Sequence, residues 1–479
     1  MNVKKKQEYL IIVGLLVLIF PFFALLFFVH PQGDDYCFLE QLNNYNNLEF
    51  VKNMYYHWTG RYFSMFLASL DPMKYSLNIY RLFLFLFQII FLSSIFLFIK
   101  SVVISNVKYT SIIIATLIFY LIYANLSISI FELFYWYPSV SAYLLGLSLL
   151  LIFISIYFFY KRKSLSIYSF LTLSTILSFI LIGLTEIFII PIFIFISSII
   201  YADLKTKAFN YMVILLLIII LSTVVIFAPG NFVRASLFES HSISIALVNA
   251  IKSLILALGY IIKNPTFIVL SLAFYIFLNS KNSNYFIFNF QKINLLKFYL
   301  VSILIFLLWL LPITYSLGNI PPGRVLNILE SFIIIAWIFG IIVLSSKNKL
   351  TLIYKTSKKL QNILILLSIL FLFSGVFVTN NYSFSKGDKS SIYLDGNILL
   401  ATYELMYYAT IYDHEIQKRT TRYHSNNNDS LILPSLSYYP KTLTFYYIEP
   451  SKYYNQWIQC CESQYYNLDS IYIEPRKEE

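Results

Sequence analysis

Residues 9–36 read YLIIVGLLVLIFPFFALLFFVHPQGDDY. An uncharged, apolar run from Tyr9 to Val29 is followed at once by two adjacent acids, Asp34 and Asp35. At 1.5 Å of rise per residue, about 20 helical residues cross the ~30 Å bilayer core. The run is too long for the apolar core of a cleavable signal, and no small-residue cleavage site follows it, so it reads as a retained first span. The acids then stand at the mouth of a membrane helix, and that placement asks for a reason.

Comparable runs recur along the chain. Of 479 residues, 59% are hydrophobic and only 12% charged, against roughly a quarter charged in soluble domains. This composition defines a multi-pass membrane protein. The net charge of +12 does not point to nucleic acid, because the lysines and arginines lie in short loops between apolar runs, where they mark the cytoplasmic side. Lys4, Lys5 and Lys6 place the N-terminus inside and Asp34 and Asp35 outside. Further spans read at 78–99, 110–129, 140–160, a hairpin within 166–201, 211–227, 298–315, 329–344 and 360–378. The segment 242–280 is broken at Asn264 and Pro265. Its second half is read as a span, and its first as lying along the outer surface. The expectation is an all-α polytopic fold with about 11 spans.

Two segments lie outside the bilayer. In the first outer loop, 31–77, Phe50, Met54, Trp58 and Tyr62 recur every fourth residue, which predicts an interfacial amphipathic helix. The chain thus divides into a transmembrane module, 1–379, and a tail, 380–479. The tail is more polar and mixes a helical stretch with short β-like runs such as LTFYYIE. It reads as a small α+β extracytoplasmic domain. Cys37, Cys460 and Cys461 have no metal-cluster spacing. Cys37 can bridge to either member of the vicinal pair or to neither.

The outer face collects Asp34, Asp35, His57, Arg61, Glu132, Glu186, Arg234, His241 and Arg324 from separate loops. Each has a plain structural reading. The acids suit a helix start, the arginines can snorkel to lipid phosphates, the histidines suit a surface, and Trp136 and Tyr137 suit an interfacial belt. Acids against apolar sequence, such as Glu186, are costly without a partner or a job. As a group they match one reaction class. Arginine forks bind phosphate, and a phosphate leaving group needs no general acid. One carboxylate then suffices to deprotonate an acceptor hydroxyl, unlike the two separated carboxylates of a glycoside hydrolase.

At these residues the chain resembles the GT-C glycosyltransferase superfamily. More narrowly, GDDY, HWTGR, FYWYPSVSAY, LTE, APGNFVR and PPGR, in that order, resemble bacterial O-antigen glucosyltransferase-like proteins. The resemblance covers nearly the whole chain, although each motif is short. It implies a multi-pass enzyme of the bacterial inner membrane that moves a sugar from a polyprenyl-phosphate donor to a glycan or glycolipid acceptor on the outer side, with inversion. It implies Asp34 or Asp35 as catalytic base. Arg61, Arg234 and Arg324 fall on recurring arginines and are read here as donor-phosphate ligands. Glu186, Glu132, His57, Trp136, Tyr143 and Asn231 are read as substrate-binding or acidic support. Some superfamily members hold a divalent metal on acids, which Asp34, Asp35, Glu132 and Glu186 could supply; others do without, and the metal stays open. Competing readings are an O-antigen polymerase or ligase, and a lipid-linked sugar flippase.

Overall fold

The computed structural model describes residues 3–104, 106–202, 208–237, 242–263, 267, 271–272, 274–275, 292–347, 396–425, 430–445 and 456–474. The expected span 360–378, His241, most of the second half of 242–280 and the cationic segments at 203–207 and 348–359 lie outside these residues.

Helices dominate. They are α1 (Val3–Ala24), α2 (Asp34–Asn44), α3 (Asn47–His57), α4 (Tyr62–Ser69), α5 (Leu77–Val102), α6 (Tyr109–Leu126), α7 (Ile130–Phe134), α8 (Tyr137–Lys161), α9 (Ile167–Leu184), α10 (Ile189–Ala202), α11 (Ala208–Ile226) and α12 (Pro229–Ser236). There follow α13 (Ile243–Lys263), α14 (Leu295–Leu317), α15 (Gly323–Lys347), α16 (Asn397–Tyr407), α17 (Ala409–Ser425), β1 (Leu431–Leu433), α18 (Gln456–Tyr465) and β2 (Ile471–Ile473). Among the described residues, 8 helices are long and apolar enough to cross a membrane: α1 with its 3-10 extension, α5, α6, α8, α9, α11, α14 and α15. The chain is an all-α membrane protein, and these eight fall on expected spans.

Local chemistry sets several boundaries. A capping box starts α3: the Glu49 amide donates to Asn46 Oδ1 at 3.0 Å, and the Asn46 amide donates to Glu49 Oε2 at 3.1 Å. Ser166 caps α9 by accepting from the Ser169 amide. Gly318, with φ 64°, ends α14 in the left-handed conformation that a Cβ would resist. The four-residue periodicity of the first outer loop holds only in part. Phe50 and Met54 are buried on α3, but that helix stops at His57, Trp58 is exposed, and Tyr62 begins α4.

The chain forms two compact units. One comprises Met1–Phe22, Val102–Ser129 and His241–Tyr403. In it α13 buries Ala246, Ala250, Ser253, Ala257 and Ile261 in one lengthwise stripe. Small side chains let helix backbones approach closely, and the Thr314 hydroxyl of α14 donates to the Ala246 carbonyl at 2.8 Å. Thus α13, read from sequence as lying along the outer surface, packs along α14. Buried amides tie α15 and α16 to the end of α6. Asn327 exchanges hydrogen bonds with the Ser129 backbone, and Asn397 donates to the Ala124 and Ser127 carbonyls. Glu330, wholly buried, accepts from the Ile128 amide at 3.2 Å.

The second unit comprises Phe23–Ser101, Ile130–Ser240 and Glu404–Glu479. The tail contributes α17, α18 and the parallel pair β1–β2, in which Leu431 faces Ile471. A disulfide joins Cys37 of α2 to Cys461 of α18, with Cα atoms 4.7 Å apart. Two glycines lock the loop before α4 against the start of α12. A Cβ on Gly60 would strike the Val225 carbonyl and Ala228, and one on Gly230 would lie 2.5 Å from the Trp58 amide nitrogen. Asn231 completes the lock. Its Oδ1 accepts from the Gly60 amide at 3.1 Å, and its Nδ2 donates to the Val225 carbonyl at 2.7 Å. The HWTGR and APGN motifs are therefore two halves of one backbone junction. Gly60→Ala and Gly230→Ala should each destabilise the protein by about 1–3 kcal/mol, the usual cost of overpacking, with the double variant less than additive. Chemical denaturation in detergent checks this, and wild-type stability in either single variant would refute the junction.

Candidate functional site

The junction fixes where Arg61 goes. Arg61 follows Gly60 at the N-terminal boundary of α4, and its side chain reaches the turn between α9 and α10. Nε donates to Glu186 Oε2 at 2.7 Å, and a terminal nitrogen donates to Glu186 Oε1 at 2.6 Å. This is the two-pronged guanidinium–carboxylate geometry that makes strong, directional pairs. The other terminal nitrogen reaches the Tyr143 hydroxyl at 3.3 Å. Tyr143 lies in the single π-helical turn of α8, Val140–Leu144, a device common at functional sites.

Arg234, one turn beyond the APGN corner on α12, joins the group. Burial lowers its pKa and neighbouring Arg61 lowers it further, while Glu186 and Tyr143 raise it. Burial also pulls Arg61 down, but Glu186 and Tyr143 outweigh that and raise its pKa. Both guanidinium groups interact electrostatically with one carboxylate, and Glu186 already occupies the Arg61 fork. The cluster therefore carries one excess positive charge, centred on the half-buried Arg234. Arg61 and Glu186 remain partly open, with side chains 21% and 37% exposed. Chemically, this is a seat for an anion.

The adjacent acids separate. Successive helical residues point about 100° apart, so the first turn of α2 sends one inward and leaves the other at the boundary. Asp34 is half-buried; Asp35 is wholly buried. Asp35 Oδ2 accepts from the Gln32 amide at 2.8 Å and from the Tyr80 hydroxyl at 3.1 Å. Desolvation, then the nearby Asp71 charge, pushes its pKa well above the ordinary carboxylate value. Asp71 is 1% exposed, caps a 3-10 turn by accepting from the Met73 amide at 2.8 Å, and is pushed by burial up to about 7. Asp35 Oδ1 and Asp71 Oδ2 are buried without hydrogen-bond partners. Protonated carboxyl groups suit that environment better than carboxylates do.

The other expected residues fall elsewhere. Trp136, read from sequence as an interfacial aromatic, is packed inside the protein. It is 2% exposed, donates to the Gln32 carbonyl at 3.0 Å and meets Phe445 edge-on at 4.5 Å. His57 is exposed at the end of α3, 3.0 Å from the Asn53 carbonyl. Glu132 is half-buried on α7, and Arg324 begins α15 in the other unit. Asp71 escaped the sequence reading, although Asp-Pro is a turn signal. So did the group formed by His30, Arg81 and Asp413, in which Asp413 Oδ1 lies 2.7 Å from His30 Nε2 and 2.9 Å from Arg81. The histidine and aspartate are 383 positions apart, and nothing local announces the contact. Among the described residues, no three His, Cys, Asp or Glu side chains gather as a metal site. No known family model matches the chain, nor does any curated protein or solved structure.

The raised carboxyl pKa values fix a pH dependence. Their stabilising contribution is complete below about 4, where unfolded carboxyls are still protonated. It is lost as pH rises through the folded-state value of about 7 for Asp71. Thermal unfolding in detergent between pH 4 and 8 should show wild type losing stability over that window. Asp71→Asn, which keeps the cap, should flatten the slope. Asp35→Asn should be nearly neutral, whereas Asp35→Ala should cost about 1–3 kcal/mol by stranding its donors. Equal slopes in wild type and Asp71→Asn would overturn the assignment.

Proposed function

We propose that the protein is a GT-C-type membrane glycosyltransferase that moves a sugar from a polyprenyl-phosphate donor to a cell-envelope glycan or glycolipid. The supporting observation is the cluster of Arg61, Glu186, Tyr143 and Arg234 with its surplus positive charge. Arg234 takes the donor phosphate. Arg61, engaged by Glu186, holds the seat in shape and adds field rather than a free fork.

Asp34 serves as general base, because it is the accessible member of the acidic pair. It removes the proton from the acceptor hydroxyl, and that oxygen attacks the anomeric carbon. The bond from that carbon to the phosphate oxygen breaks, the phosphate leaves with the electron pair, and the anomeric configuration inverts. Asp35 holds the first turn of α2 through Gln32 and Tyr80.

The reading includes about eleven spans, a cytoplasmic N-terminus and an extracytoplasmic α+β tail, in a bacterial inner membrane. The Cys37–Cys461 disulfide supports an oxidising compartment for α2 and α18, since such bonds are rare in the cytosol.

Surface glycans from cells expressing wild type should carry a hexose-sized mass increment that is absent without the protein. Asp34→Asn should lose it, Asp35→Asn should keep it, and Arg234→Ala should reduce transfer by about 10²-fold, as for loss of one charge-stabilising donor. An undiminished increment in Asp34→Asn sinks the mechanism. For orientation, Cys460 is exposed and free, so a membrane-impermeant maleimide should label it in intact spheroplasts. Labelling only after lysis would reverse the topology.

A further inference from the structure

The second unit contains a cleft remote in sequence from the Arg61–Glu186 cluster. It lies between the loop before α2 and the tail elements and encloses about 50 Å³, room for roughly three or four waters. Its walls combine Arg419 of α17 and Glu462 of α18 with Tyr36, Tyr412, Tyr423 and Tyr439. Arg419 is only 9% exposed, and one of its terminal nitrogens donates to the Pro434 carbonyl at 2.7 Å. Glu462 accepts a long hydrogen bond, 3.4 Å, from the Tyr423 hydroxyl. The two charges attract each other, yet neither makes an ion pair among the described residues. A buried cation and a carboxyl that share a cleft without closing on each other leave donor and acceptor capacity for a third party.

We propose that this cleft binds carbohydrate, taking the diol edge of a pyranose between Arg419 and Glu462. The pair sets a donor and an acceptor side by side, so a ligand that offers both is favoured over a simple anion or cation. Adjacent hydroxyl groups meet both demands, one accepting from the guanidinium and the other donating to the carboxyl. The tyrosines supply flat apolar faces with polar tips, matching the C–H face of a sugar and its hydroxyl rim. The small volume takes one edge of the ring and leaves the remainder, and any further sugars, outside. Burial pushes the Glu462 carboxyl up to about 7, so it exchanges readily between donor and acceptor forms near neutrality. That the bound glycan is the acceptor of the transfer rests on the function proposed above; the sugar site itself does not.

The test uses full-length protein in nanodiscs without lipid donor. Saturation-transfer NMR is recorded with methyl α-glucopyranoside, methyl β-galactopyranoside and N-acetylglucosamine, and with glycine and inorganic phosphate for comparison. At least one glycoside should bind saturably, and Arg419→Ala and Glu462→Ala should each weaken it by roughly tenfold or more, the scale of a hydrogen bond to a charged group. Gln459→Trp, which obstructs the cleft from a partly exposed lining position, should abolish binding and guards against misfolding of the charge variants. With no lipid donor present the measurement reads the sugar site alone, so a failed transfer mechanism and a failed sugar site give different results. Binding of no glycoside, undiminished binding in all three cleft variants, or preferential binding of glycine or phosphate would overturn the proposal.

Discussion

A carboxylate lodged among apolar helices is costly unless a cation is held against it. Glu186, at the turn between α9 and α10, meets that condition through both prongs of Arg61. The arginine is supplied by a different part of the chain, so the pair fixes α4 against that turn. Arg61 directly follows Gly60, whose backbone presses against the end of α11, and Asn231 ties that contact with side-chain hydrogen bonds. The same corner begins α12 and delivers Arg234. A single electrostatic requirement thus organises four elements around the Arg61–Glu186 pair.

The parts of this arrangement differ in how legible they were. Spans are read from runs of side chains, a local property, and eight of them coincide with apolar helices. The motifs TGR, LTE and APGNFVR identified residues that meet in space, but not their roles. Arg61, read as a donor-phosphate ligand, and Asn231, read as substrate-binding support, both make hydrogen bonds within the protein. The first outer loop shows why periodicity alone misleads. Its apolar spacing continues past His57, but the helix ends there and the chain turns into the tight junction at Gly60. Asp71 and the His30–Asp413 contact depend on chain segments brought together only by folding, so no short window of sequence contains them.

The acidic doublet shows the limit most plainly. In sequence Asp34 and Asp35 are equivalent. Helical geometry makes them chemically unlike: one stays at the boundary, and the other enters a pocket with Tyr80 and Asp71. Buried acids there fasten the loop that carries the accessible one, so a residue can serve a site without meeting its ligand.

The bridge between Cys37 and Cys461 has a consequence for biosynthesis. Its halves are 424 residues apart, so at roughly 5–20 residues per second the ribosome works for about twenty seconds or more before the second cysteine exists. Throughout that interval the helix bearing the acidic doublet lacks its covalent tether. Sealing that tether is thus a late step of maturation, and chains stalled before the tail is made cannot acquire it.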